Sequence, residues 1–115
     1  MDSETPGDQV VTQLRKGVLE YCVLRYLDMR PAYGLELANR LSEDGLISHG
    51  GSLYPLLSRL RKQGLVESFW RESDSGPPRR YYRQTPDGRA ALRQFLSEWR
   101  VFVDKVDHLM EGVGQ

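Results

Sequence analysis

Residues 50–88 read GGSLYPLLSRLRKQGLVESFWRESDSGPPRRYYRQTPDG, and the order of elements within them decides the fold. Ser52 is a good N-cap, since a serine hydroxyl accepts from amides left open in the first turn of a helix. Pro55 falls in that turn, where its missing N–H costs nothing. Leu53, Leu56, Leu57 and Leu60 share one side of this helix. Ser58, Arg59, Arg61, Lys62 and Gln63 are left for the other side, and Gly64 closes it. Residues 65–70 (LVESFW) and 80–85 (RYYRQT) are rich in β-branched and aromatic side chains, as strands are. Residues 72–78 hold Ser, Asp, Gly and two prolines, a turn signal. A basic helix followed by a basic hairpin is therefore predicted. Tyr81 and Tyr82 alternate faces, which puts one in the core and the other outside.

Upstream, residues 9–29 carry Val11, Leu14, Val18 and Cys22 at spacings of three and four, with Leu19, Val23, Tyr26 and Leu27 widening the stripe. One helix is predicted, weakened by about 1 kcal/mol at Gly17 and ended at Arg30-Pro31. Residues 33–42 form a second helix with Leu35, Leu37, Ala38 and Leu41 on its apolar side. Glu36 and Arg40 stand four apart on it as an exposed pair, and Gly45 suits the stop. Residues 1–8 (MDSETPGD) read as an acidic, frayed tail.

Downstream, Thr85 is the N-cap of a last helix. There Leu92, Leu96, Trp99, Val103, Val106 and Met110 are spaced 4, 3, 4, 3, 4, and Phe95, Phe102 and Leu109 add a third stripe. That seam is wider than a contact with its own small domain requires, so it predicts packing on a second copy. Trp99, with Phe95 and Phe102, either packs plainly at that interface or lines a flat pocket for a planar aromatic small molecule.

The order helix, helix, helix, hairpin, helix predicts a mainly α fold with a small β-hairpin wing. Residues 9–87 form a winged helix-turn-helix and residues 88–112 a C-terminal dimerisation helix. In such a fold the third helix enters the major groove and the wing reaches the adjacent backbone. Candidate DNA contacts are Tyr33, Ser52, Tyr54, Arg59 and Lys62, with Arg79 and Arg80 on the wing. Ser52 suits a phosphate at a helix N-terminus. Arg79 and Arg80 follow the stiff Pro77-Pro78 pair.

The charge pattern agrees. The chain is neutral, with 16 basic and 16 acidic residues. Yet residues 49–83 hold seven basic and three acidic residues, and the remainder carries the matching acidic excess. A neutral protein presents one basic face in this way. His49 and His108 lack a metal-spaced partner, Cys22 is alone, and Asp104, Asp107 and His108 fit an exposed helix face, so no metal or cofactor is expected. No phosphate loop or nucleophile-base set is evident, so no enzyme is expected. The lone cysteine, with no membrane-length apolar run and no leader, predicts a cytoplasmic protein.

The segments LRKGVLEYCVLRYL, AYGLELANRL, GSLYPLLSRLRKQGLV and PPRRYYRQTPDG, in this order from about Leu14 to Met110, resemble the PadR family of bacterial transcriptional regulators. The resemblance implies a homodimeric repressor on a palindromic operator in double-stranded DNA, with the final helix as the dimer element. A single C-terminal helix is similar to the compact subfamily. Some relatives take planar drugs at a dimer pore containing tryptophan, and Trp99 lies in the corresponding helix. The wing tip SGPPRR is close to the family pattern but departs from it. The alternatives are a winged helix that binds protein and a small-molecule sensor without direct DNA binding.

Overall fold

The computed structural model describes residues 6–48 and 53–114, with Asp8 and Val11 in backbone only. Helix α1 spans Pro6–Arg15, α2 Leu19–Met29, α3 Gly34–Glu43, α4 Leu53–Lys62 and α5 Pro86–Met110. Strands β1 (Ala32–Tyr33), β2 (Val66–Ser73) and β3 (Gly76–Gln84) form an antiparallel sheet in the order β1-β3-β2. This is the predicted mainly helical fold with a β-hairpin wing.

The helix expected over residues 9–29 is two helices. Gly17 sits between them at φ +81°, a left-handed conformation that side-chain-bearing residues adopt at a cost. The amides of Lys16 and Val18 close tight turns onto the carbonyls of Gln13 and Arg15. The chain turns there, so the continuous stripe read from Leu14 to Cys22 wraps a corner. Helix α1 starts at Pro6, so residues 6–8 of the segment read as a tail are helical.

Helix α3 buries Leu37 and Leu41 but leaves Leu35 58% exposed, off the face expected for it. The expected Glu36–Arg40 pair is absent from the contacts of either side chain described. Glu36 instead accepts from Arg30 at 3.2 Å, and the Arg40 guanidinium lies 4.9 Å from the centre of the Tyr26 ring. The Tyr26 hydroxyl donates to Asp44. Both substitutes come from α2 and its end, which a reading along one helix does not include.

Leu53, Leu56, Leu57 and Leu60 are all buried, as their spacing predicted. They meet Val23, Leu24 and Leu27 of α2, the two leucines of α3, and Val66 and Tyr82 of the sheet. Leu92 completes this core from α5. At roughly 1.5–3 kcal/mol for each large side chain fully buried, this cluster is the main source of stability.

The base of the wing is tied to the helices on both sides. The Thr85 hydroxyl accepts from the Gly88 amide at 3.1 Å, the predicted cap, and donates to the Gly64 carbonyl at 2.6 Å. A Cβ on Gly88 would sit 2.1 Å from the Leu65 carbonyl oxygen, so only glycine lets α5 start this close to the chain entering β2. Nearby, Asp28 accepts from Gln84 at 2.9 Å, Arg89 at 3.1 Å and Arg25 at 3.2 Å. Partial loss of solvent raises the Asp28 pKa. The Gln84 hydrogen bond and the Arg89 and Arg25 charges outweigh that and hold it below its ordinary value.

Candidate nucleic-acid interface

Burial of the four leucines of α4 leaves Tyr54, Arg59, Arg61 and Lys62 on its exposed side. The Tyr54 ring lies against the first residue of α3, where a Cβ on Gly34 would come within 2.6 Å of it. The glycine after Tyr33 is what lets α4 seat its first turn against α3. Arg59 is 3.6 Å from Glu20 of α2, an exposed pair that engages only part of its guanidinium. Lys62 stands exposed at the last turn. Ser52, predicted as cap and phosphate contact, and His49 lie outside the described residues.

The wing is longer than the sequence suggested. Its strands run into the predicted tip and leave a tight turn at Asp74-Ser75. Arg71 pairs with Arg79, and Ser73 with Gly76. Between those pairs the two residues Pro77 and Pro78 oppose Glu72 alone, a bulge. Proline tolerates this position because it has no amide to offer the ladder.

The register sorts the wing side chains by face. Ala32, Tyr82 and Ser68 align across the three strands, and so do Tyr33, Tyr81 and Phe69. The first row lies towards the core, with Ala32, Tyr82 and Val66 buried. Tyr82 is therefore the core tyrosine and Tyr81 the outer one. Further out on the core-side face, past the end of the core, Arg80 donates to the Ser68 hydroxyl at 2.9 Å opposite an exposed Trp70. Arg79 is on the other face, 4.6 Å over the Tyr33 ring. The two wing arginines, adjacent in sequence, point to opposite sides of the hairpin.

Sequence reading missed Arg71. It lies 4.3 Å from the Tyr81 ring centre and 5.5 Å from that of Phe69. Its partnership with Arg79 depends on the strand register, which the Gly/Pro-rich tip does not encode in any short motif. Tyr33, a candidate DNA contact by sequence, stands in the half-buried aromatic row of the outer sheet face.

Helix α5 leaves the core after Leu92. Its 25 residues span about 37 Å at ~1.5 Å per residue. Phe95 stacks between Tyr21 (4.2 Å) and Trp99 (5.4 Å). Trp99, Phe102, Val103 and Val106 then line a groove of about 570 Å³ whose other wall is Leu14, Leu19, Cys22 and Leu46. Phe95 and Leu96 line a smaller neighbouring groove with Tyr21 and Leu92. Burial raises the pKa of Cys22, which makes its thiol a poor nucleophile. Leu96, Phe102, Leu109 and Met110 are more than half exposed. Among the described residues no cluster of metal-ligating side chains occurs, and no helix is long and apolar enough to cross a membrane.

The chain is similar over nearly its whole length to solved regulators. A PadR family transcriptional regulator from Eggerthella lenta is 40% identical with TM-score 0.81, over 90% of this chain and 91% of that one. A PadR-like regulator from Bacillus cereus is 38% identical with TM-score 0.78, over 87% of this chain and 98% of that one. A transcriptional regulator of Mycobacterium tuberculosis is 37% identical over 82 residues, covering 71% of this chain and 76% of its own length. The model of the transcriptional regulator PadR-like family matches residues 23–94, and with these likenesses it establishes that the chain belongs to the PadR-like family of transcriptional regulators.

Proposed function

We propose that this regulator is a homodimeric repressor that binds a palindromic operator in double-stranded DNA and lets go of it when a planar aromatic ligand occupies the dimer interface. The observation that carries DNA binding is the splitting of Arg79 and Arg80 onto opposite faces of a wing adjacent to the basic side of α4. A hairpin laid along a minor groove has a phosphate wall on each side, and one arginine faces each wall. Tyr54, Arg59 and Lys62 meet the major groove, and Arg59 keeps free donors beyond the one near Glu20. Regulators of this family bind DNA.

Dimerisation is supported by the outer half of α5. Only Leu92 of the predicted seam is fully buried within one chain; Val103 and Val106 are half-buried along the groove, and Leu96, Trp99, Phe102 and Met110 are left exposed as an apolar face. A second copy seated there fixes the spacing of the two recognition helices to the helical repeat of DNA. The groove beside Trp99 and Phe102 supports a ligand at the same place. A flat aromatic molecule wedged there changes that spacing, and a small change is enough to lose one half-site.

The test is fluorescence anisotropy of the purified protein on a fragment of its own upstream region, repeated across a salt series. Phosphate-based binding weakens steeply with salt, and a salt-independent affinity would defeat the reading. Tryptophan quenching by planar aromatic compounds tests the ligand. Quenching that survives unchanged in Trp99→Phe belongs to the exposed Trp70 and removes the interface pocket.

A further inference from the structure

The outer face of the sheet presents three aromatic rings in a row and three guanidinium groups laid over them. Tyr33 meets Tyr81 edge-on at 5.4 Å, and Phe69 stacks on Tyr81 at 5.8 Å. Arg79 covers Tyr33 at 4.6 Å, Arg71 covers Tyr81 at 4.3 Å, and Arg83 covers Phe69 at 4.5 Å. Arg83 is also tied to Glu67 at 2.7 Å. Among the described residues neither Arg71 nor Arg79 has an acidic partner. They stand directly opposite each other across the β2–β3 ladder.

Two like charges at opposed positions on one face destabilise a hairpin. The rings beneath them offset part of that cost and hold each guanidinium close to a ring. A guanidinium held over a ring and tied to no acid keeps its N–H donors available, in the fork geometry that grips a phosphate through two oxygens. The same cover disfavours the face as a stacking platform for single-stranded bases, because the guanidinium groups lie over the rings.

We propose that the outer face of the wing is a clamp for the DNA phosphate backbone, in which Arg71 and Arg79 grip neighbouring phosphates and Tyr33 is the positioning residue for Arg79. The proposal rests on the DNA-binding reading above and adds Arg71, the aromatic row and the polarity of this face to it. Charge complementarity selects the occupant. The two opposed arginines lack an acidic partner and favour a polyanion, and the face continues the hairpin that already carries Arg80 on its other side.

The test compares wild type with Arg71→Gln, Tyr33→Leu and Tyr33→Phe by anisotropy on the upstream DNA fragment across a salt series, with thermal melting of the free proteins. Arg71→Gln keeps a planar amide over Tyr81 and removes the repulsion. Its melting temperature is expected to equal or exceed that of wild type, while affinity falls about fivefold and the salt slope falls by about one, as for one lost phosphate contact. Tyr33→Leu is expected to weaken binding several-fold, and Tyr33→Phe to recover most of that loss because the ring remains. If Arg71→Gln binds with wild-type affinity and slope, the clamp is overturned while the function stands. If Tyr33→Phe loses as much as Tyr33→Leu, the hydroxyl contacts DNA directly and the positioning role is overturned. If wild type itself shows no salt-dependent binding, the proposed function falls and the clamp with it.

Discussion

The wing and the outer half of α5 both carry rows of large aromatic and aliphatic side chains towards solvent, and they treat them in opposite ways. On the outer sheet face Tyr33, Tyr81 and Phe69 each lie under a guanidinium. On α5, Phe102, Leu109 and Met110 are bare, with exposures of 62%, 76% and 55%. A ring under an arginine is a seat for a charge and needs no further protein cover. A bare apolar face of this extent is stable in water only when something covers it. The same residue types thus fit the two partners proposed above: a polyanion at one end and a second copy of the chain at the other.

The largest expected effect breaks the bare end. Leu96→Glu with Leu109→Glu puts carboxylates into the proposed seam, where desolvating an unpaired charge costs several kcal/mol. If the proposed dimer holds, sedimentation should then report a monomer at concentrations where wild type sediments as two copies, and affinity for the proposed operator should fall with it. Unchanged assembly would show that the seam is not the dimer contact.

A second, smaller break falls at the joint between the two ends. Gly88→Ala forces α5 away from the Leu65 carbonyl. An overpacked position of this kind costs about 2–3 kcal/mol, read as a lower midpoint in chemical denaturation. A wild-type midpoint would mean that the helix start shifts freely.

Sharpening the covered end comes next. Arg79→Ala with Arg80→Ala should lower DNA affinity roughly tenfold and reduce the salt slope by about two, leaving the dimer intact by sedimentation. Loss of assembly together with binding would erase the distinction drawn between the two ends.

The smallest effect concerns Asp28, where the wing root meets α5. Its folded pKa lies below the ordinary 3.8. Its contribution to stability is therefore present above that value and is lost as pH falls through the lower folded value. Asp28→Asn should narrow the stability difference between pH 7 and pH 3 relative to wild type. An identical acid profile would show that Gln84, Arg89 and Arg25 do not act through this carboxylate.

Much of this was legible in the chain. The leucines of α4, the Thr85 cap and the glycines ending α3 and α4 are local rules, set by residues within one turn of each other. The hairpin was legible as two strands around a tip. Its register was not, because the bulge at Pro77-Pro78 shifts every pairing beyond it and only the formed ladder reports that shift. Strand β1 was missed because two residues carry no periodicity, and they are extended by pairing with Tyr81 and Tyr82. The break at Gly17 was read as a weak point inside a helix. A glycine is compatible with both a helix interior and a left-handed corner, and packing chose between them.

By itself, the sequence determined the run of three core helices, hairpin and last helix, the family, the basic character of α4 and the wing, and an apolar stripe on the last helix too wide for one small core. These follow from side-chain chemistry at fixed spacing along one element. Tertiary structure alone decided that Arg71 opposes Arg79, that Arg79 and Arg80 face apart, and that the seam of α5 is fully buried only at Leu92. Each of these is a relation between elements far apart in the chain, and it exists only once pairing and packing have brought them together.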